Sequence, residues 1–378
     1  MSWNVPFINL KKQFSNQKKE LIAAFENIMK NGSFILRDDV KIFEENMAKF
    51  LNVRNVIGVN SGSDALILAA KTLNLKKDDE VITVAHTYIM TISAIFHTGA
   101  TPVLVDIGDD YNIDVSKIES AINKKTKAIF PVHINGRMAE MDSISRLAQK
   151  YSLSIVEDSA QGLGAKINDK NPGNFNSIGC FSSHPMKNLG CAGDGGFIST
   201  DDDKLADRLR TMRNHGQENK YEYTSYGFSS RLDTLQAAIL NVKFPLFKSW
   251  INKRREIASI YESELKNLPL ILPPMINQKN KFFDVFSSYT IRTDNQKELH
   301  DHLRNKGVEV FIHLGPNSIS ENKNLFFKIP EKLVNTQKIS KQVISLPIYP
   351  ELDFKSLKFV IKCIKDFFNN RSDLKSPS

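Results

Sequence analysis

FSSHPMKNLGCAGDGGFIST, residues 181–200, decides how the rest of the chain is read. The run IGCF (178–181) and the closing GFIST each read as a buried strand, so Lys187 is displayed on a loop between two rigid elements. Ser182 and Ser183 open that loop, and Gly190, Gly193, Gly195 and Gly196 let its backbone fold closely around something. Upstream, LSIVEDSAQG (153–162) is an apolar strand ending in Glu157 and Asp158. Taken singly, Lys187 is better read as a solvated loop charge and Asp158 as a helix cap. Together, an amine nucleophile and an acid at a strand end form the pair that pyridoxal 5'-phosphate requires, the lysine for a Schiff base and the carboxylate for the pyridinium nitrogen.

The reason is electronic. The cofactor stabilises a carbanion on its substrate only while the ring nitrogen keeps its proton, and a neighbouring carboxylate holds that proton in place. Asp158 is the candidate, and Gln161, three residues on, is placed to hydrogen-bond the ring oxygen beside the imine.

The chain has 378 residues, too many for one ordinary core, which suggests two domains. A hydrophobic fraction of 41% and a charged fraction of 25% are those of a soluble globular protein. Net charge is +9, but the Lys and Arg are interspersed with Asp and Glu and form no basic stripe with interleaved aromatics, which argues against a nucleic-acid partner. Cys180, Cys191 and Cys363 have no metal-ligand spacing and are odd in number, so free thiols and a reducing compartment are expected. MSWNVPFINLKKQF at the start lacks the apolar core of a signal peptide, and no apolar run approaches the ~20 residues needed to span a bilayer. These readings predict a cytoplasmic protein without a membrane partner.

QKKELIAAFENIMKNG and DDVKIFEENMAKFL read as two helices, the first ended by Gly32. Leu21, Ala24, Phe25 and Ile28 on the first need a partner surface, either core or a second subunit. From 53 to 200, the strands NVIGV, EVITVA, PVLVDI, AIFPVHI and LSIVED alternate with helices such as SDALILAAKTL, ISAIFHTG and MDSISRLAQKY. That alternation predicts an α/β fold with a mostly parallel central sheet flanked by helices, binding its ligand at the carboxyl ends of the strands. A smaller C-terminal α/β domain is expected over 246–370, after a large domain over 1–245, with FDVFSSYTIRT as a strand and QKELHDHLRNKG and DFKSLKFVIKCIKDFF as helices. The tail, 371–378, has no apolar content to anchor it and reads as mobile.

The turn VNSGSDALILAA (59–70) runs strand, Ser61-Gly62-Ser63, helix, the arrangement that binds an anion on backbone amides. Serines that merely cap a helix are as common, and the Asp64 carboxylate would repel a phosphate unless it points away. Tyr88, just past another strand end, offers a face for a flat ring, although any one tyrosine is more often buried packing. HINGRMAEMD (133–142) places Asn135, Gly136 and Arg137 on a similar loop, and its His133 reads as a satisfied core histidine.

With these segments in view, the chain resembles the DegT/DnrJ/EryC1/StrS family of PLP-dependent sugar aminotransferases, which have the aspartate aminotransferase-like fold (fold type I). The likeness runs almost end to end, through PFINL, SGSDAL, VEDSAQG, FSSHPMKNLGCAGDGGF, RNHGQENKYEY, GFSSRLDTLQAAIL and SLPIYPELD. A set spaced in that order is far more specific than any member. The resemblance implies that Lys187 carries the cofactor, Asp158 pairs with the pyridinium nitrogen, Gln161 contacts the ring hydroxyl and Ser182 binds phosphate. It further implies that the Gly62 turn cradles the phosphate with Ser63 and Asp64 amides, and that Tyr88 stacks on the ring. A homodimer is implied, with GFSSRLD (227–233) of one subunit reaching into its neighbour's site.

Three departures stand out. Ser229 replaces an asparagine that contacts the cofactor phosphate across the subunits, so that contact is lost or bridged by water. Arg37 and Arg137 stand where the family commonly has other residues, as candidate acid-binding groups or as surface salt bridges. GVEVFIHLGPNS keeps His313 but lacks neighbours often found there. His313, Arg231, His184 and Arg137 are the candidate substrate contacts. The reading is a two-stage amino transfer, by analogy from glutamate to the cofactor (as pyridoxamine 5'-phosphate) and from there to a keto-sugar, expected to be nucleotide-linked, in amino-sugar or surface-polysaccharide synthesis. Two alternatives are a sugar dehydratase of the same fold, in which histidine replaces the lysine, and a non-catalytic regulatory homologue.

Overall fold

The computed structural model describes residues 3–274, 281–315 and 319–369; the tail 371–378 lies outside them. Two helices lead. In α1 (Leu10–Asn31), Asn9 caps the start by accepting from Lys12 N–H, and Gly32 ends the helix in the left-handed conformation at φ 60°. In α2 (Asp38–Leu51), Asp38 and Asp39 sit at the positive end of the helix dipole, and Val40, Phe43, Met47 and Leu51 form one buried stripe. The apolar face of α1 is only partly covered, since Ile28 is buried but Phe25 remains 44% exposed.

The strands are β1 (Asn55–Val59), β2 (Glu80–Val84), β3 (Thr101–Val105), β4 (Thr126–Ile129), β5 (Ser154–Asp158), the short β6 (Lys166–Ile167), β7 (Ile178–Ser182) and β8 (Gly196–Thr200). Seven of them make one sheet in the order β1-β8-β7-β5-β4-β2-β3. Within it β8 is antiparallel to both neighbours, and every other pair is parallel. Alternate side chains enter two cores. Ile57, Val81, Ala128 and Val156 pack with α3 (Gly62–Thr72) and α7 (Asp203–Arg213). Val56, Ile82, Ile129 and Ile155 pack with α2 and α6 (Met141–Tyr151). Helices α4 (Ile89–Phe96), α5 (Val115–Ala121) and α8 (Thr234–Lys243) complete the layers. Burial on both faces explains why the strands read as continuous apolar runs.

Helix α9 (Phe247–Leu265) bridges two cores: Phe247, Trp250 and Ile251 join the main one, while Ile257, Tyr261 and Leu265 join a second. That second core lies against the antiparallel pair β12 (Tyr289–Arg292) and β13 (Val343–Leu346) and the helices α10 (Gln296–Asn305) and α12 (Phe354–Asn369), with α11 (Val334–Ser340) before β13. Val5, near the N-terminus, packs there too and bridges Val308. The hairpin β9 (Gln217–Asn219) and β10 (Glu222–Tyr223) stands apart, and β11 (Phe282–Phe283) pairs with β6. The strand expected over FDVFSSYTIRT is broken: its first residue, Phe283, belongs to β11, and only its second half, Tyr289–Arg292, forms β12. Phe286 adopts φ 48°, and Val285 N–H donates to Gly136 O (2.9 Å), so the segment between bends to dock on the loop that follows β4. Among the described residues no helix is long and apolar enough to cross a membrane, and Cys180, Cys191 and Cys363 are buried free thiols.

Candidate active site

The carboxyl ends of β1, β2, β5 and β7 meet at one edge of the sheet, around a cavity of about 460 Å³ that holds both Lys187 and Asp158 on its wall. Strand alternation settles which of the two neighbouring acids serves it. Glu157 is fully buried, accepting from Gly173 N–H (2.9 Å) and from Ser177 Oγ, with its other oxygen 2.7 Å from His133 Nε2. Because His133 Nδ1 accepts from Ala139 N–H (3.2 Å), Nε2 carries the ring proton and donates it to Glu157. His133 is therefore a satisfied core histidine. Asp158 faces the other way, where Oδ2 accepts from Thr91 Oγ1 (2.6 Å) and Oδ1 from Ala160 N–H (3.1 Å). Those two donors fix a buried carboxylate at the cavity wall.

Lys187 lies on the turn between β7 and β8, with its N–H donating to His184 O (2.8 Å). Burial lowers the pKa of its ammonium, and the Asp158 carboxylate opposes that shift. Opposite, Ser61 caps α3 by accepting from Asp64 N–H (3.0 Å). That bond corrects the expectation that the Asp64 amide offers itself to a phosphate, because Ser61 Oγ already takes it. The Gly62 and Ser63 amides of the first turn have no intrahelical acceptor and remain. The Asp64 carboxylate accepts from Ser230 Oγ (2.9 Å), so it is held by a hydroxyl outside the cradle. Ser182 closes the cradle: a Cβ on Gly62 would stand 2.6 Å from Ser182 Cβ, so the two turns are pressed together.

The other expected residues divide. Tyr88 is 68% exposed at the cavity rim, with a ring face available, rather than buried packing. Gln161 lines the cavity, and since its Oε1 accepts from Asn135 N–H (2.8 Å) its NH2 is the donor left over. His184 lines the wall, its Nδ1 accepting from Met186 N–H (3.3 Å). His313 does so between the rings of Phe7 and Phe311, with Nδ1 3.2 Å from Ser345 Oγ. Its pKa is lowered by burial and then by the Lys187 charge. Arg137 is a correction. Its guanidinium is held by Asp284 (2.8 Å) and Asp110 (3.2 Å) and stacks on Phe282, so it ties two segments together instead of meeting substrate. Arg37 is exposed at the start of α2. Ser229 and Arg231 lie outside the cavity; Arg231 donates to Ser229 Oγ, Asn214 Oδ1 and His215 Nε2, each at 3.1 Å.

Two residues at the site, one behind the cavity wall and one on it, went unread in the sequence. Thr91 sits one turn after Tyr88 on α4, and only its contact with Asp158 reveals it. His86 is 2% exposed, stacks on Tyr111, and has its pKa pushed down to about 4 by burial. Its position just past β2 is the same strand-end signal that pointed to Tyr88.

A cavity with an amine, a facing buried carboxylate and an amide cradle fits the phosphate, ring nitrogen and aldehyde of pyridoxal phosphate. A family model described as the DegT/DnrJ/EryC1/StrS aminotransferase family matches residues 15–365. The chain belongs to that family. Among its relatives, a pleiotropic regulatory protein of Geobacillus stearothermophilus is 38% identical over 97% of this chain and 99% of its own length. The dTDP-3-amino-3,4,6-trideoxy-alpha-D-glucose transaminase of Streptomyces venezuelae is 37% identical, over 96% of both chains. Among solved structures, S. venezuelae DesV in complex with a ketimine intermediate superposes with a TM-score of 0.92 at 36% identity, covering 97% of this chain and 99% of that one. DegT/DnrJ/EryC1/StrS aminotransferases thus share this architecture throughout, and the chain is an aminotransferase of that family.

Proposed function

We propose that this chain uses pyridoxal phosphate to move an amino group from glutamate to a nucleotide-linked keto-sugar in amino-sugar or surface-polysaccharide synthesis, and that it does so in the cytoplasm. The observation that carries the reading is the Lys187–Asp158 pair on one cavity, with the Gly62–Ser63 amides and Ser182 forming an anion cradle. The cofactor, when bound, supplies the electron sink that stabilises negative charge at the carbon losing its proton. Asp158 would hold the proton at the ring nitrogen, and Thr91 and the Ala160 amide would keep that carboxylate aimed at it. Gln161 would donate to the ring hydroxyl and Tyr88 would cover the ring face. Lys187 Nζ would anchor the cofactor and then, as a free amine, accept the proton from the donor's amine-bearing carbon. Its lowered pKa favours that neutral base. His313 and His184, on the same wall, are the proposed sugar contacts from this subunit.

The working unit of the proposal is a homodimer. Helix α1 leaves Phe14, Ile22, Phe25 and Met29 between 40% and 46% exposed, a large apolar surface for one subunit. The connector carrying exposed Phe34 and Ile35 bridges Asp233, so this surface adjoins the 227–233 segment that would enter the partner site with Ser229 and Arg231. The division into a large domain (1–245) and a small one (246–370) is supported by the separate second core, which also takes in Val5.

The intact Lys187 speaks against the dehydratase alternative, since His184 stands three positions early. The regulatory alternative draws support from a relative that is a pleiotropic regulatory protein. To test the proposal, the protein loaded with pyridoxal phosphate is given 15N-glutamate and a panel of nucleotide-linked keto-sugars. Appearance of a 15N-amino sugar with 2-oxoglutarate supports it. A salt-dependent DNA shift without turnover on any sugar overturns it in favour of a regulator.

A further inference from the structure

Helix α8 holds the lysine-bearing loop from one face, at two points seven residues apart. Gln236 Oε1 accepts from Ala192 N–H (2.8 Å), and Lys243 Nζ donates to Gly190 O (2.7 Å). Residues two helical turns apart share a face, so α8 grips the loop as a two-toothed clamp. The loop's own bonds give it shape: Cys191 N–H donates to Ser183 O (2.8 Å), Lys187 N–H to His184 O (2.8 Å) and Ser183 N–H to Gly195 O (2.8 Å). The two α8 contacts add a fixed attachment to the body of the fold.

Lys243 is only 6% exposed, and a buried ammonium is tolerated only with strong acceptors around it. Besides Gly190 O it donates to Gln13 Oε1 on α1 (3.2 Å). Gln13 in turn hydrogen-bonds the Glu351 carboxylate, whose charge opposes the lowering of the Lys243 pKa by burial. A chain of contacts therefore runs from Gly190 through Lys243 and Gln13 to Glu351, on the segment between β13 and α12. Gly190 lies close against the turn leading to Lys187, since a Cβ there would lie 2.6 Å from Pro185 O.

We propose that Gln236 and Lys243 are positioning residues for Lys187: they fix the loop that presents its amine to the cavity, and through Gln13 and Glu351 they couple that loop to the C-terminal unit. The proposal rests on the reading of Lys187 as the reactive amine.

Two readouts on the full-length protein without cofactor test it. They are hydrogen–deuterium exchange of residues 183–195, and the pH midpoint for acetylation of Lys187 by acetic anhydride, mapped by mass spectrometry. In Lys243→Met and Gln236→Leu, exchange in 183–195 should rise about tenfold, the effect of losing one hydrogen bond that fastens the loop, while β4 and β5 keep wild-type protection. The Lys187 midpoint should move up toward that of an ordinary lysine, because a loosened loop readmits water. Lys243→Arg should restore part of both. Wild-type loop exchange and a wild-type midpoint in both variants would overturn the proposal, even with a lower melting temperature, because support of the fold alone predicts only the latter. If Lys243→Met does not fold, Gln236→Leu decides by the same two outcomes. Neither readout involves cofactor, so a failure of the cofactor reading leaves them interpretable and is seen separately.

Discussion

Gly62→Ala tests the phosphate cradle with one methyl group. The added Cβ would stand 2.6 Å from Ser182 Cβ, 3.0 Å from Ser182 Cα and 3.2 Å from Ser182 Oγ. Carbon atoms in contact prefer about 3.5–4.0 Å, so the turns must separate by about 1 Å. Ser182 cannot yield cheaply, because it ends β7 paired with Gly196, and Gly196 itself lies so close to Ser61 that its own Cβ would be 2.4 Å from the Ser61 carbonyl carbon. Overpacking of this kind costs about 1–3 kcal/mol. If the strain falls on the cradle, affinity for pyridoxal phosphate drops about 5- to 150-fold, at 1.4 kcal/mol per factor of ten. Titration of the apoprotein with pyridoxal phosphate, followed by its visible absorbance, measures this, and Gly108→Ala serves as a control because its backbone is outside the left-handed region and the nearest atom to its Cβ is 3.4 Å away. Wild-type affinity in Gly62→Ala with an unchanged melting temperature would refute the cradle.

Thr91→Val removes the 2.6 Å donor to Asp158 at nearly constant volume, and a hydrogen bond to a charged group is worth about 1.5–3 kcal/mol, so kcat/KM should fall about 10- to 150-fold. Glu157→Leu leaves the His133 and Gly173 N–H groups and the Ser177 hydroxyl without their buried acceptor, and at about 1–3 kcal/mol for each orphaned donor the denaturant midpoint should fall. His86 has a folded-state pKa of about 4, below its unfolded value, so the unfolded chain takes up the proton first. Its stabilising effect is complete above about pH 6.5 and is lost as pH falls toward 4, so His86→Phe should flatten the decline in melting temperature over that window. A decline as steep in His86→Phe as in the wild type would assign it to other groups.

The order of strands and helices was legible because both faces of the parallel sheet are buried and periodicity changes cleanly at each turn, as between EVITV and IMTISAIF. That Lys187 and Asp158 share one cavity was legible because Asp158 ends β5 and Lys187 lies on the loop after β7, at the edge where this architecture gathers its ligands. Arg137 was misread, since no local pattern reveals that Asp110 and Asp284, distant in sequence, converge on its guanidinium. The FDVFSSYTIRT strand came out half as long as its alternation implied, because a tertiary bond from Val285 to Gly136 overrides the local preference. Thr91 escaped for the same reason, its role being visible only once α4 is laid against β5.

Reduction of the cofactor-loaded protein with borohydride, followed by peptide mapping, tests the central claim most directly. The account predicts a pyridoxyl group on the peptide containing Lys187, and none in Lys187→Ala. A label on any other lysine, or an unlabelled chain after saturation with pyridoxal phosphate, would contradict it.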